Sequence, residues 1–239
     1  MRSSLFQTVL DGVYPRSCSV CGVSLQQTES SGLCWDCRTS TSLITPPWCD
    51  CCGMPVAGRL DHAFICADCQ EDPPPFTHAR SICRYEGGVR DAIHALKYQR
   101  DFSVVPDLAR MLLAGIRTHV EPAPHSVLVP VPLHWRRRFH RGFNQGAELI
   151  RGMRKQEPSL LTWNGLKRVK HTDTQTRLSK AGRKANVKNA FQVNITREVP
   201  ERVLLLDDVM TTGATLSEAA RALKKAGVKE VNTLTLARG

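Results

Sequence analysis

Residues 203–215 read VLLLDDVMTTGAT, and no other stretch narrows the possible folds as much. Val203, Leu204, Leu205 and Leu206 form a short apolar run between charges. That is the pattern of a strand buried on both faces, as in a parallel sheet covered by helices on each side. Asp207 and Asp208 follow where the strand must surface, and Thr211, Thr212, Gly213, Ala214 and Thr215 make a turn of small residues. An amphipathic pattern then puts Leu216, Ala219, Ala220 and Leu223 on one helix face, with Gly227 as the C-terminal stop. Free N–H groups and threonine hydroxyls at a helix N-terminus form an anion site, and two carboxylates beside it accept hydrogen bonds from vicinal sugar hydroxyls. The ligand implied is a ribose carrying a 5′-phosphate.

This stretch resembles, without gaps, the phosphoribosyl pyrophosphate (PRPP) motif of type I phosphoribosyltransferases. The resemblance implies that Asp207 and Asp208 bind the 2′ and 3′ hydroxyls. It also implies that Thr211, Thr212, Gly213, Ala214 and Thr215 bind the 5′-phosphate, and that magnesium accompanies the PRPP. A plain helix-capping turn also uses Thr and Gly, but it has no need of adjacent carboxylates at the end of a buried strand.

The 239 residues suffice for one α/β domain with a full core and a smaller unit, divided here as 1–72 and 73–239. A formal net charge of +11 favours anionic partners: phosphorylated metabolites, nucleic acid or an acidic membrane surface. Charge alone does not choose among them. No apolar run has the length of a membrane span, and Met1–Ser17 lacks the apolar core of a signal peptide. These absences predict a soluble, cytoplasmic protein.

Between residues 18 and 69 the chain repeats itself. Cys18, Cys21 and Gly22 precede Cys34 and Cys37; Cys49, Cys52 and Gly53 precede Cys66 and Cys69. Each CxxC turn aims two thiolates at one cation, so each half supplies the four ligands of a zinc site. Two structural zinc ions are expected, since a short polar segment depends on metal to fold and four thiolates leave no open position for catalysis. Spacing leaves open whether the sites are sequential or share pairs across the halves. Cys51 lies inside a CxxC without belonging to it, and Cys83 reads as a core residue.

Residues 71–77 (EDPPPFT) break both periodicities and read as a linker. Strands are expected at 79–85, 127–131, 160–166, 191–195 and 231–236, and helices at 88–98, 104–118 and 142–154. His94, Lys97 and Tyr98 fall close together on the first helix, as a basic edge or a ligand contact. After the strand at 127–131 comes PLHWRRRFHRGFNQ, read as a loop that concentrates Arg136, Arg137, Arg138 and Arg141 among Trp135, Phe139 and Phe143. With Asn144 and Gln145 it would hold a pyrophosphate, or single-stranded DNA by phosphate pairing and base stacking. Residues 168–191 form a long basic stretch, read as a lid with helix near 179–188, because an oxocarbenium-like centre needs shielding from water. With the last strand nearly ending the chain, a base-recognising hood would have to come from 79–125.

Taken together, the chain resembles the ComF/GntX family along nearly its whole length. The resemblance rests on the twin CxxCG…CxxC ribbons, the PPPF linker, HALKY (94–98), PVPL, the RGFNQ text at 141–145, the lid residues Thr174, Gln175, Leu178, Arg183, Asn186, Asn189, Ala190 and Phe191, and the PRPP motif. It implies a mostly parallel α/β core of the type I phosphoribosyltransferase kind beneath an N-terminal double zinc ribbon. It also implies a role with competence or DNA-uptake proteins in natural transformation, or in using extracellular DNA as nutrient. A nucleotide-salvage phosphoribosyltransferase and a non-catalytic PRPP sensor are the alternatives. The usual small-residue pyrophosphate loop is missing, replaced by the Pro- and Arg-rich segment, which bears on turnover more than on PRPP binding.

Overall fold

The computed structural model describes residues 16–25, 31–120, 126–170, 180–196 and 198–239, without the side chains of 137, 138, 140, 180, 181, 183 and 184. In chain order the elements are α1 (Trp35–Thr39), α2 (Ala67–Glu71), β1 (Ala79–Arg84), α3 (Gly87–His94) continuing as a wider π turn (Ala95–Gln99), α4 (Val105–His119), β2 (Val127–Pro130), α5 (Trp135–Arg141), α6 (Gln145–Gln156), β3 (Leu166–Arg168), α7 (Lys180–Val187), β4 (Phe191–Val193), β5 (Arg202–Met210), α8 (Ala214–Lys225) and β6 (Glu230–Arg238).

Four strands form one parallel sheet in the order β1-β6-β5-β2. Leu204 and Leu206 of β5 join Ile82, Leu234 and Leu236 against Leu108 and Leu112 of α4 and Leu149 and Met153 of α6. Val203 and Leu205 join Val129 and Val231 against Leu216, Ala219, Ala220 and Leu223 of α8. This alternation follows from the two-residue period of a strand, and burial on both faces explains the continuous apolar run.

Several elements differ from the sequence reading. The strand β5 does not end at the carboxylates, because β6 pairs with it as far as Met210 and Arg238, so Asp207 and Asp208 lie within it. The expected strand at 160–166 contributes only Leu166. Residues 161–163 touch β2 through a single bridge, with Leu128 N–H donating to Leu161 O and Trp163 N–H to Leu128 O. The next donor along β2 would be Pro130, which has no N–H, so the pairing stops. The Arg-rich segment is not a loop but the helix α5. Of residues 79–125, β1 is a sheet strand and α4 packs on the sheet face, whereas the segment between them brings Lys97 to the acidic pair. Within the lid, residues 171–179, including Thr174, Gln175 and Leu178, lie outside the described part. Its C-terminal half is docked on α8, with Asn189 N–H donating to Glu218 Oε1 at 2.7 Å.

The cysteine-rich repeat is part of the core and not a separate bead. Cys18, Leu33, Cys34 and Cys37 belong to the α4/α6 layer, whereas Cys49, Cys52, Cys69 and the linker's Phe76 belong to the α8 layer. The two halves therefore cover opposite faces of the sheet. The first is pinned by Asp107 of α4, only 2% exposed. Its carboxylate accepts from Ser31 Oγ at 2.8 Å, Gly32 N–H at 3.0 Å and Leu33 N–H at 3.2 Å, with Arg110 at 3.2 Å. Asp107→Ala strands these buried donors and is expected to destabilise the protein by about 3 kcal/mol in urea unfolding. A change below about 1 kcal/mol would show that the contact is not an anchor.

Candidate functional site

Parallel strands present all their carboxyl ends at one edge of the sheet, where ligands of open α/β folds bind. Asp207 and Asp208 lie there, Asp208 buried and Asp207 half-buried. Each carboxylate accepts a hydrogen bond from the next residue's N–H: Asp208 N–H to Asp207 Oδ1, and Val209 N–H to Asp208 Oδ1, both at 2.9 Å. The second oxygen of Asp208 meets Lys97 Nζ at 2.5 Å. Burial, then the adjacent Asp208 carboxylate, push the Asp207 carboxyl up to about 8. Burial works against the Lys97 ammonium, but the charge of Asp208 outweighs it and holds the lysine pKa above its ordinary value. Two adjacent carboxyl groups and one lysine thus share one closed place, and Asp207 holds its proton to higher pH than an ordinary aspartate.

Immediately after β5, Thr211 is exposed, Thr212 and Thr215 are half-buried, and Gly213 and Ala214 are buried as α8 begins. Gly213 has φ +73°, a left-handed conformation that a side chain would strain, and its Cβ would also press on Met210 Cε at 2.7 Å. Ser217 N–H donates to Gly213 O at 2.8 Å, so the 12-residue helix starts directly from the turn. The chemistry available is two carboxyl groups for a diol next to the N–H groups of a helix start for an anion. Across the turn, a cavity of about 750 Å³ separates α8 from the second cysteine cluster. Arg238 spans the wall, its Nη1 donating to Cys52 O at 2.7 Å and touching Met210 Sδ at 3.4 Å.

The helix α6 starts beside the acidic pair, since a Cβ on Gly146 would lie 3.0 Å from Leu206 O. Asn144 caps it, accepting from Ala147 N–H at 3.2 Å and donating to Val131 O at 2.9 Å, and Gln145 is buried. On α5, Trp135 (64% exposed) and Phe139 (84%) stand one turn apart, and Arg136 lies over the Trp135 ring at 5.3 Å. The side chains of Arg137 and Arg138 lie outside the described part. Arg141 lies over Tyr98 at 5.7 Å, which links α5 to the π turn that carries Lys97. Phe143 is not a surface ring. It is buried against Phe102, centroids 4.9 Å apart, so it packs α6 instead of offering a stacking face.

The cysteines gather as Cys18, Cys21, Cys34, Cys37 and as Cys49, Cys52, Cys66, Cys69, the ligand atoms of each set within 4.8 Å of one another. The arrangement is sequential, not crossed. The halves match in detail: Gly22 and Gly53 have φ +75° and +68°, and Gly22 N–H and Gly53 N–H each donate back to the first cysteine carbonyl at 2.8 Å. A tetrahedral ion with Zn–S of about 2.3 Å requires sulfurs about 3.8 Å apart. The Cys21–Cys34 and Cys52–Cys66 sulfurs lie 3.6 and 3.7 Å apart, so both sets fit zinc. Cys51 stands outside the sets. Cys83 is fully buried, its thiol donating to Leu236 O at 3.0 Å, and burial pushes it up to about 12.

Residues 9–70 match the double zinc ribbon domain, and residues 169–239 the phosphoribosyl transferase domain. Over 215 residues the chain is 35% identical to competence protein F of Haemophilus influenzae, covering 87% of this chain and 91% of that one. The chain belongs to the ComF/GntX family. It is also 30% identical to DNA utilization protein YhgH of Escherichia coli K12 (87% of this chain, 97% of that protein) and 30% identical to competence protein ComFC of Bacillus subtilis (86% and 84%). In this ComF/GntX member, the sequence placed Lys97 with His94 and Tyr98 as a basic helical edge or a ligand contact, without naming Asp208 as its partner. Its contact depends on the π turn, which rotates Lys97 inward while leaving the next residue, Tyr98, 69% exposed. Asp107 carried no sequence signal, because an aspartate in the first turn of a helix is ordinarily a solvated dipole partner.

Among the described residues no helix is long and apolar enough to cross a membrane.

Proposed function

We propose that this protein binds PRPP or a related ribose 5-phosphate, with the diol on Asp207 and Asp208 and the phosphate on Thr211–Thr215. We further propose that it serves DNA uptake or the use of extracellular DNA from the cytoplasm. The observation that carries the ligand reading is the acidic pair at the carboxyl end of a central parallel strand, followed without a gap by the Gly213 turn and the start of α8. Relatives named for competence and DNA utilisation support the physiological role. Residues 1–72 act as the zinc-bearing unit and 73–239 as the ligand-binding unit. Magnesium would supply charge neutralisation on the pyrophosphate and arrive with it, because Asp208 is already paired with Lys97. A thermal-shift screen with PRPP, nucleotides and single-stranded DNA tests the assignment, since a ligand of the folded state raises its melting temperature. A shift with none of the three would reject it.

The exposed Trp135 and Phe139 with Arg136 and Arg141 support single-stranded DNA binding along α5. Affinity is expected to fall with salt at a slope of about −0.7 per phosphate neutralised. Trp135→Ala is expected to weaken binding by about 1–3 kcal/mol if a base stacks there. Fluorescence anisotropy that gives equal affinity for wild type and a variant with Arg136, Arg137, Arg138 and Arg141 all changed to Ala would remove DNA from this helix.

A further inference from the structure

The geometry points to Lys97 as the residue that makes the acidic pair selective for a ribose bearing an anionic group at C1. The inference rests on the ligand reading above and adds which sugar phosphate the site takes.

Among the described residues, Lys97 makes the only ion pair with either acidic residue, and the lysine and Asp208 side chains are 16% and 10% exposed. The ammonium occupies Asp208 Oδ2, and Asp208 Oδ1 already accepts the Val209 N–H. A ribose diol that hydrogen-bonds to Asp208 therefore uses the same two oxygens and, in so closed a place, crowds the lysine. A displaced ammonium in so closed a place needs a new counter-charge, because an unpaired buried ion is costly. In ribose the hydroxyls at C2 and C3 lie on one face of the ring, and a substituent in the α configuration at C1 lies on that same face. A pyrophosphate there comes beside the carboxylates and takes over Lys97 as the diol takes Asp208. Ribose 5-phosphate, with only a hydroxyl at C1, displaces the lysine without replacing its partner. The π turn makes this exchange specific to Lys97, since it aims that side chain alone at the pair while Tyr98 faces solvent under Arg141. Lys97 thus stays on Asp208 until a ligand brings its own anion.

The test is the ratio of dissociation constants for ribose 5-phosphate and PRPP, measured by calorimetry on the full zinc-loaded chain with and without magnesium. Wild type is expected to favour PRPP by at least about tenfold, which is ~1.4 kcal/mol. Lys97→Met should bring the ratio to within about threefold by losing PRPP affinity, and Lys97→Arg should restore the preference. Lys97→Gln, whose amide offers a donor to Asp208 without the charge, carries the test if Lys97→Met does not fold. An unchanged ratio in the neutral variants, with melting temperature and zinc content intact, overturns the inference alone. Failure of wild type to bind either compound overturns the ligand reading and this inference with it.

Discussion

Asp207→Asn and Asp208→Asn together are expected to remove most PRPP affinity, by roughly 1.5–3 kcal/mol for each charge-assisted bond lost. The two single variants should differ. Asp208 is paired with Lys97 at 2.5 Å, so its amide loses an acceptor and leaves a buried ammonium without a partner. Asp207 is pushed up to about 8, first by burial and then by Asp208, so near neutral pH it is already uncharged and an amide resembles it. Asp207→Asn should therefore weaken binding little below pH 7 and progressively more as pH rises through about 8. Stability follows the same group with a definite sign. A carboxyl whose folded pKa is raised favours the folded state most at acid pH, and that contribution is lost as pH rises from the ordinary aspartate range through about 8. Wild type should thus lose stability relative to Asp207→Asn across that window. Calorimetry at several pH values tests the binding, and urea unfolding tests the stability. Unaltered PRPP binding in the double variant would move the ligand site elsewhere.

Removal of zinc is expected to have the largest effect of all. Purified protein should carry about two zinc ions, and Cys34→Ser should carry one. A self-contained N-terminal unit would confine the damage to itself; the packing does not. Cys18, Cys34 and Cys37 are buried with Leu108 and Leu112, and Cys49, Cys52 and Cys69 with Leu205 and Leu216, so losing either ion uncovers one face of the sheet. Structural zinc sites contribute about 10–16 kcal/mol of apparent binding energy, comparable to or larger than the ~5–15 kcal/mol stability of a typical domain. Chelation should therefore unfold the whole chain cooperatively, seen as loss of far-UV circular dichroism together with PRPP binding. One zinc per chain, or none without chelator, would reject twin sites, and a chelated protein that still binds PRPP would show that the sheet stands without its ribbons.

Features carried by contiguous residues were legible before any coordinates. The acidic pair and Thr/Gly turn follow from a buried strand that must surface and a helix that must start. The fully buried Cys83 and the left-handed Gly227 at the end of α8 also agree with the sequence reading. Element ends were less legible, since they depend on the neighbouring strand. Pairing with β6 carries β5 past its polar residues, and Pro130 ends the contact at 161–163 for want of one N–H. Phe139 and Phe143 look alike in the sequence, yet one is 84% exposed and the other is packed on Phe102, because only a neighbouring segment covers it.

The sequence by itself determined the four CxxC pairs, the parallel α/β core and the strand, acidic pair, turn and helix of the proposed ligand site, whereas the grouping of the pairs into two sequential sets of four came from the structure. Each is written in the spacing of residues that are close along the chain, and spacing sets where a short peptide can aim its side chains. Only the tertiary structure decided that the two ribbons cover opposite faces of one sheet, that Asp107 fastens the first of them, and that Lys97 reaches Asp208 from more than a hundred positions away. A buried charge must find its partner wherever the fold brings one, and that partner has no fixed distance along the chain.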